Sequence, residues 1–327
     1  MLIAGALMVG ALLGTQSPKQ DTPLFTVDAR AVYLTVSARD VATGRYVTDL
    51  RQSDFAVYEN GRPQKIFYFE GAPAAVPDTE RVPVRMSLLL DMSGSIKQRI
   101  PDIRDAALIV IRSLKSGPRL GPEDDDLARI MMFHDRSIMT QDFTHHRLTL
   151  EKATDSIPED GGGTKLYTSL YVQLREMESL GRADGQRYRN VIVVLSDGID
   201  TASLHTDDEI IEVARSSRVA VYTILLARYH NPRRRRRVEQ VRSNEELVAE
   251  NFMHRLAAVT GGTAYVPSRI KRLKDVYQNI ANEVAMQYRI GYQPIVPPDG
   301  QVRHISVHTS ERPNILLQHR PSYRAVR

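Results

Sequence analysis

Two stretches of this chain, Arg85–Asp91 and Asn190–Leu195, read as strands yet show no alternation of apolar and polar residues. A strand with one wet face alternates. One that does not must be covered on both sides, as in a parallel sheet layered with helices. Around these two stretches, strand and helix patterns alternate from Val84 to Met286. Apolar residues at helical spacing mark Ile100–Leu114, Leu148–Ile157, Lys165–Leu180, Asp207–Ser216, Glu245–Val259 and Leu273–Met286. Further strands are predicted at Leu127–Phe133, Val219–Leu226 and Thr263–Val266, with Ser137–Phe143 as an antiparallel edge strand. The expected fold class is therefore α/β: a doubly wound, mostly parallel six-stranded sheet of Rossmann-like type.

The flanks differ in chemistry. Leu2–Leu13 is an apolar run too short to span a bilayer. Residues 1–17 are signal-like, although the charged leader is missing, and the chain is expected to be secreted or periplasmic. No transmembrane span is expected in the mature chain. Residues 25–71 read as an N-terminal β segment. Within it, the runs Asp54–Glu59 and Gln64–Phe69 flank Asn60-Gly61, a hairpin signal. Prolines between Gly71 and Pro83 mark a boundary before the domain at 84–286. Residues 287–327 return to short alternating runs, a C-terminal β segment expected to pair with 25–71 and form a small β domain.

Composition narrows the chemistry. The chain has 327 residues and no cysteine, which excludes disulfides, zinc–thiolate centres and cysteine nucleophiles. A net charge of +5 is mild for this length and does not argue for nucleic acid. Arg233–Arg237 reads as a solvated loop, or else as a contact for an acidic partner. Glu123–Asp126 reads as a solvated turn, and His145-His146 as surface residues without further metal-ligand spacing. There is no Gly-x-Ser-x-Gly elbow, no Walker-type Gly-Lys-Ser/Thr and no His-Glu-x-x-His.

The turn leaving the first central strand carries the chemistry. Asp91, Ser93 and Ser95 form an Asp-x-Ser-x-Ser array in this strand-to-helix connection. Open α/β sheets bind ligands beyond the carboxyl ends of their strands, at the point where strand order reverses. Oxygen donors without soft nitrogen or sulfur suit a hard divalent cation. Thr164 lies in a glycine-rich loop that opens a helix, and Asp197 follows the other central strand. If those two strands are neighbours, all these turns share one edge of the sheet.

Taken together, these residues make the segment resemble a von Willebrand factor type A domain with its metal-ion-dependent adhesion site. That family carries Asp-x-Ser-x-Ser in its first loop, Thr in its second and Asp in its third, here matched by Asp91, Ser93, Ser95, Thr164 and Asp197. The third loop reads Ser196-Asp197-Gly198 where Thr-Asp-Gly is commoner. The pattern from Asp54 to Ile66 and the tail around Tyr288–Tyr292 also look like segments flanking this domain in secreted bacterial proteins. The resemblance implies that hydroxyls coordinate the cation without neutralising it, so that an Asp or Glu of a protein partner completes its shell. It implies Mg2+, with Mn2+ and Ca2+ as alternatives, and assigns Asp200 to orient Asp197.

Other readings stand beside this one. Asp91, Ser93 or Ser95 taken alone serves equally well as a helix cap, and Gly161–Gly163 as a plain connection. A rival function is a Mg2+-dependent hydrolase using Asp91 and the same metal; another is a structural subunit of an envelope assembly. The sequence carries no signal for an oligomeric state.

Overall fold

The computed structural model describes residues 31–72, 82–115, 125–156, 162–226, 243–267 and 272–326. The signal-like segment and Arg233–Arg237 lie outside these residues. The strands are β1 (Val32–Asp40), β2 (Phe55–Glu59), β3 (Arg62–Gln64), β4 (Ile66–Glu70), β5 (Val84–Asp91), β6 (Leu127–Phe133) and β7 (Ser137–Thr144). They continue with β8 (Arg189–Ser196), β9 (Ala220–Leu225), β10 (Ala264–Tyr265), β11 (Tyr288–Tyr292), β12 (Val302–Thr309), β13 (Ile315–Gln318) and β14 (Ser322–Arg324). The helices are α1 (Ile100–Ser113), α2 (Arg147–Asp155), α3 (Leu166–Ala183), α4 (Asp207–Ser216), α5 (Asn244–Thr260) and α6 (Leu273–Ala285).

Every residue of β5 and β8 is buried, as their unbroken apolar pattern requires. The two strands pair in parallel, Leu90 opposite Leu195, at the centre of a six-stranded sheet of order β10-β9-β8-β5-β6-β7. Only β7, at the edge, runs antiparallel. Alternate side chains serve opposite layers. Leu88 and Leu90 pack with Val110 of α1 and Ile280 of α6, whereas Leu89 packs with Leu170 of α3 and Leu256 of α5. Strand order reverses between β5 and β8, so the turns leaving them face a common crevice.

The terminal segments interleave in two antiparallel four-stranded sheets, β13-β1-β11-β4 and β14-β12-β2-β3. Val32 of β1 pairs with Tyr292 of β11, and Val57 of β2 with Val307 of β12. Asn60 and Gly61 close the β2–β3 hairpin with φ values of 47° and 76°, the positive pair that a type I′ turn requires. The run Gln64–Phe69, expected as one strand, is divided. Gln64 ends β3 in one sheet and Ile66 begins β4 in the other, so the chain changes sheet at Lys65. β14 carries no apolar run and was not expected. Among the described residues no helix is long and apolar enough to cross a membrane.

One buried carboxylate ties the two terminal segments together. Glu59 accepts from Tyr292 Oη (2.8 Å), Tyr323 Oη (2.8 Å) and Arg303 Nη1 (3.0 Å). Glu59→Ala leaves the buried Arg303 guanidinium with the half-exposed Asp299, at 3.4 Å, in place of its close buried counter-charge, and leaves two phenols without this acceptor. It is expected to cost about 3–5 kcal/mol, measured by urea unfolding. A loss below about 1 kcal/mol would show that the terminal strands do not depend on this cluster.

Candidate metal centre at the carboxyl edge of the sheet

Asp91 is the last residue of β5 and is fully buried. Its Oδ1 accepts from the Ser93 backbone N–H at 2.8 Å, which folds the chain back on itself in a turn of the Asx type. Its Oδ2 accepts from Ser196 Oγ at 2.5 Å, across the pair of central strands. Ser93 Oγ lies 3.1 Å from Ser95 Oγ, and Ser95 Oγ donates to Asp197 Oδ2 at 2.6 Å. The first and third turns therefore meet through their side chains. Ser93 occupies the N-cap position of the short 3-10 segment after it, yet its side chain makes no capping hydrogen bond. The Asp91 carboxylate is likewise occupied with Ser93 and Ser196.

The second turn is held against both others through its backbone. Gly94 N–H donates to Gly162 O at 3.4 Å. Thr164 N–H donates to Thr201 Oγ1 at 2.8 Å, and Thr164 O accepts from Thr201 N (2.9 Å) and Ala202 N (3.1 Å). A methyl group added at Gly163 would lie 3.3 Å from Thr201 Oγ1, so this approach is close. The Thr164 hydroxyl itself makes no hydrogen bond among the described residues, although the residue is buried.

Two residues that the sequence undervalues or misassigns shape the cluster. Ser196, read as a mild departure from a commoner Thr, donates to Asp91 and accepts from Gly198 N at 3.0 Å. Gly198 adopts φ +78°, and Asp197 Oδ1 accepts from Ile199 N at 3.1 Å, which sets the third turn. Asp200, expected to orient Asp197, has its carboxylate on other groups. Oδ1 accepts from Ala202 N (3.2 Å) and Ser203 N (2.9 Å), while Oδ2 accepts from Ser203 Oγ (2.6 Å) and Tyr167 N (2.9 Å). Asp200 thus pins the third turn to the first turn of α3. The acidic stretch ending at Asp126 is also not a solvated turn where it is described. Asp126 is buried and caps the N–H groups of Val84 and Lys115, both at 2.8 Å.

Asp91 and Asp197 are both buried, and neither forms an ion pair among the described residues. Burial pushes the Asp91 carboxyl up to about 7; the Ser196 hydrogen bond opposes this and the neighbouring Asp197 charge adds to it. Hydroxyls compensate such a pair only in part, since buried carboxylates without a cation are costly. Two carboxylates and three hydroxyls, all oxygen, fit a hard divalent cation. Among the described residues no group of three or more His, Asp or Glu side chains converges as a rival metal centre.

A doubly wound, mostly parallel sheet with helices on both faces defines an open α/β domain. The chain belongs to the von Willebrand factor type A domain family, whose model matches residues 86–279. Domains of this family are often metal-dependent protein-interaction modules. Similar solved structures include a von Willebrand factor type A protein from Catenulispora acidiphila: 10% identity, 85% of this chain, 74% of that one, TM-score 0.48. An aerotolerance-related membrane protein from Bacteroides fragilis shares 16% identity over 62% of this chain and 98% of its own, TM-score 0.45. The mussel byssus proximal thread matrix protein 1, with a zinc-occupied MIDAS motif, shares 14% over 63% of this chain and 49% of its own, TM-score 0.46. These likenesses are too remote to bear on the role of any residue. No curated protein matches the chain.

Asp200→Ala removes the acceptor for four donors, three within the third turn and one, Tyr167 N, on α3. It is expected to destabilise the protein by about 1.5–3 kcal/mol, measured as a lower urea midpoint with an unchanged slope. An unchanged midpoint would contradict the pinning role.

Proposed function

We propose that the protein is a binding module that grips an acidic protein partner through a divalent cation held by Asp91, Ser93, Ser95, Thr164 and Asp197. The observation that carries this reading is the meeting of Ser93, Ser95 and Asp197 beside Asp91, with two buried carboxylates that form no ion pair among the described residues. A bound cation supplies an electrophilic point at which a partner's Asp or Glu oxygen is taken up. The chain's own residues do the remaining work. Ser196 fixes the rotamer of Asp91, and the Ser93–Ser95–Asp197 chain keeps the first and third turns at one separation. Thr201 and Ala202 hold the Thr164 backbone, and its hydroxyl stays available to a ligand.

Mg2+ is the cation proposed, because the set is all oxygen and mixes carboxylates with neutral hydroxyls; Mn2+ and Ca2+ are its competitors. The signal-like residues 1–17 support action outside the cytoplasm, in a secreted or periplasmic setting.

The test is a pull-down from cell-envelope extract with the intact protein as bait. Chelation by EDTA and the Asp91→Ala substitution are each expected to abolish capture, while the far-UV circular dichroism spectrum is retained. Capture that survives both treatments would remove the cation bridge. Ser196 provides a graded test. Ser196→Ala is expected to lower Mg2+ affinity about 10–100-fold by calorimetry, and Ser196→Thr, which keeps the hydroxyl, to retain it. Equal affinity in all three proteins would show that Ser196 does not position Asp91.

A further inference from the structure

At the opposite end of the same sheet, a small cleft opens where β8 and β9 begin and the terminal sheet packs against them. Asp91 and Ser196 end their strands, whereas Arg189 and Asn190 start β8. Seven residue steps separate Arg189 from Ser196, about 23 Å along an extended strand, so the cleft is remote from the metal turns. Its lining contains four arginines, Arg189, Arg218, Arg289 and Arg320, and no carboxylate.

The partners of these arginines do not balance their charge. Among the described residues, Arg189 alone of the four pairs directly with a carboxylate, Glu70, at 2.6 Å. Arg289 donates to Gln186 O at 2.8 Å and lies 4.7 Å from the Tyr33 ring centroid. Arg320 donates to Ser217 O and Arg215 O, both at 2.8 Å, and to Ser322 O at 3.2 Å. The Arg218 guanidinium makes no hydrogen bond among the described residues. Only its backbone N–H is engaged, with Glu178 at 2.6 Å, and Glu178 also accepts from Arg182 Nε at 2.8 Å. Among the described residues, two carboxylates, Glu70 and Glu178, therefore stand near four guanidinium groups.

Donors are also left over. Arg189 Nε, Gln186 Nε2 and Asn190 Nδ2 are buried without an acceptor, and all three residues line the cleft. At 6%, 6% and 4% exposure, their donors cannot be met by bulk water. Burial lowers the Arg218 and Arg289 guanidinium groups from their ordinary value and brings Arg320 down to about 10; Arg218 adds to the effect on Arg320 and Arg189 to that on Arg289. The surplus of guanidinium charge is relieved by one event, the arrival of an anion that accepts several hydrogen bonds.

We propose that this cleft is a binding site for a small oxyanion of the phosphate type, with Arg218 as the guanidinium that the ligand engages. A tetrahedral oxyanion accepts from several directions at once and matches the guanidinium fork, whereas a halide offers a single centre. Such a ligand would touch both the α/β layer, through Arg189 and Arg218, and the terminal sheet, through Arg289, and would clamp one to the other. This site does not depend on the cation bridge, and its test leaves divalent ions out.

The intact protein, stripped of divalent ions on a chelating resin, is melted in millimolar inorganic phosphate and in chloride at equal ionic strength. Phosphate is expected to raise the Tm by at least about 2 °C, and Arg218→Ala to lose that rise. Arg312→Ala, which alters an exposed pair with Asp49 elsewhere on the surface, is expected to keep it. The same Tm in phosphate and chloride, or an undiminished rise in R218A, would overturn the site. Should R218A melt too early for comparison, calorimetric titration of phosphate into the unaltered protein and Arg218→Lys decides. Affinity is expected to fall at least about tenfold with the loss of the fork, and equal affinity, or no binding to the unaltered protein, contradicts the proposal.

Discussion

Asp91 and Asp197 stand at the carboxyl ends of two adjoining buried strands, and neither forms an ion pair among the described residues. Serine hydroxyls and backbone N–H groups compensate in part: the Ser93 N–H and the Ser196 hydroxyl donate to Asp91, and the Ser95 hydroxyl and the Ile199 N–H donate to Asp197. Hydrogen bonds of this kind stabilise a carboxylate without removing its charge. The rest of the crevice is organised around that deficit. The three turns are pinned to one another, and the Thr164 hydroxyl is left without a protein partner among the described residues.

The scaffold tolerates such an arrangement by fixing everything around it. Full burial of β5 and β8 sets the two strand ends in register, and the helical layers on both faces prevent them from shifting. The terminal sheets then brace the opposite end. Glu70 of β4 meets Arg189 at the start of β8 at 2.6 Å, and Arg39 of β1 meets the fully buried Glu283 of α6 at 2.8 Å. Glu283 also accepts from Thr263 Oγ1 (3.0 Å) and Tyr265 Oη (3.2 Å), so α6, β10 and β1 share one polar contact point. α6 passes directly into β11, which joins the two parts of the fold covalently as well as by packing.

The order of the layers was legible because burial on both faces erases alternation, and Met86–Leu90 and Val191–Leu195 display that loss openly. The hairpin at Asn60-Gly61 was legible for a local reason, the positive φ that few other residue pairs accept. What escaped was non-local. The run Gln64–Phe69 keeps its alternation while the chain changes sheet at Lys65, because pattern records which side is buried and not which sheet buries it. The acids misled where the backbone used them. Asp126 caps Val84 and Lys115, and Asp200 binds the turn Ala202–Ser203 and Tyr167. An Asp followed three residues later by Ser, as in Asp200 and Ser203, carries a weak local signal of such a turn. The bond from Ser196 to Asp91 spans two strands 105 residues apart in sequence and had no local signature at all.

The most direct measurement is anomalous diffraction from crystals grown with Mn2+, read at the Ser93–Ser95–Asp197 cluster. The account predicts one anomalous peak there, at bonding distance from the Ser93 and Ser95 hydroxyl oxygens, which now lie 3.1 Å apart, and lost when Asp91 is replaced by alanine. A fully occupied Mn2+ elsewhere, with this crevice holding only water and the Ser95 hydroxyl still bonded to Asp197, would contradict it.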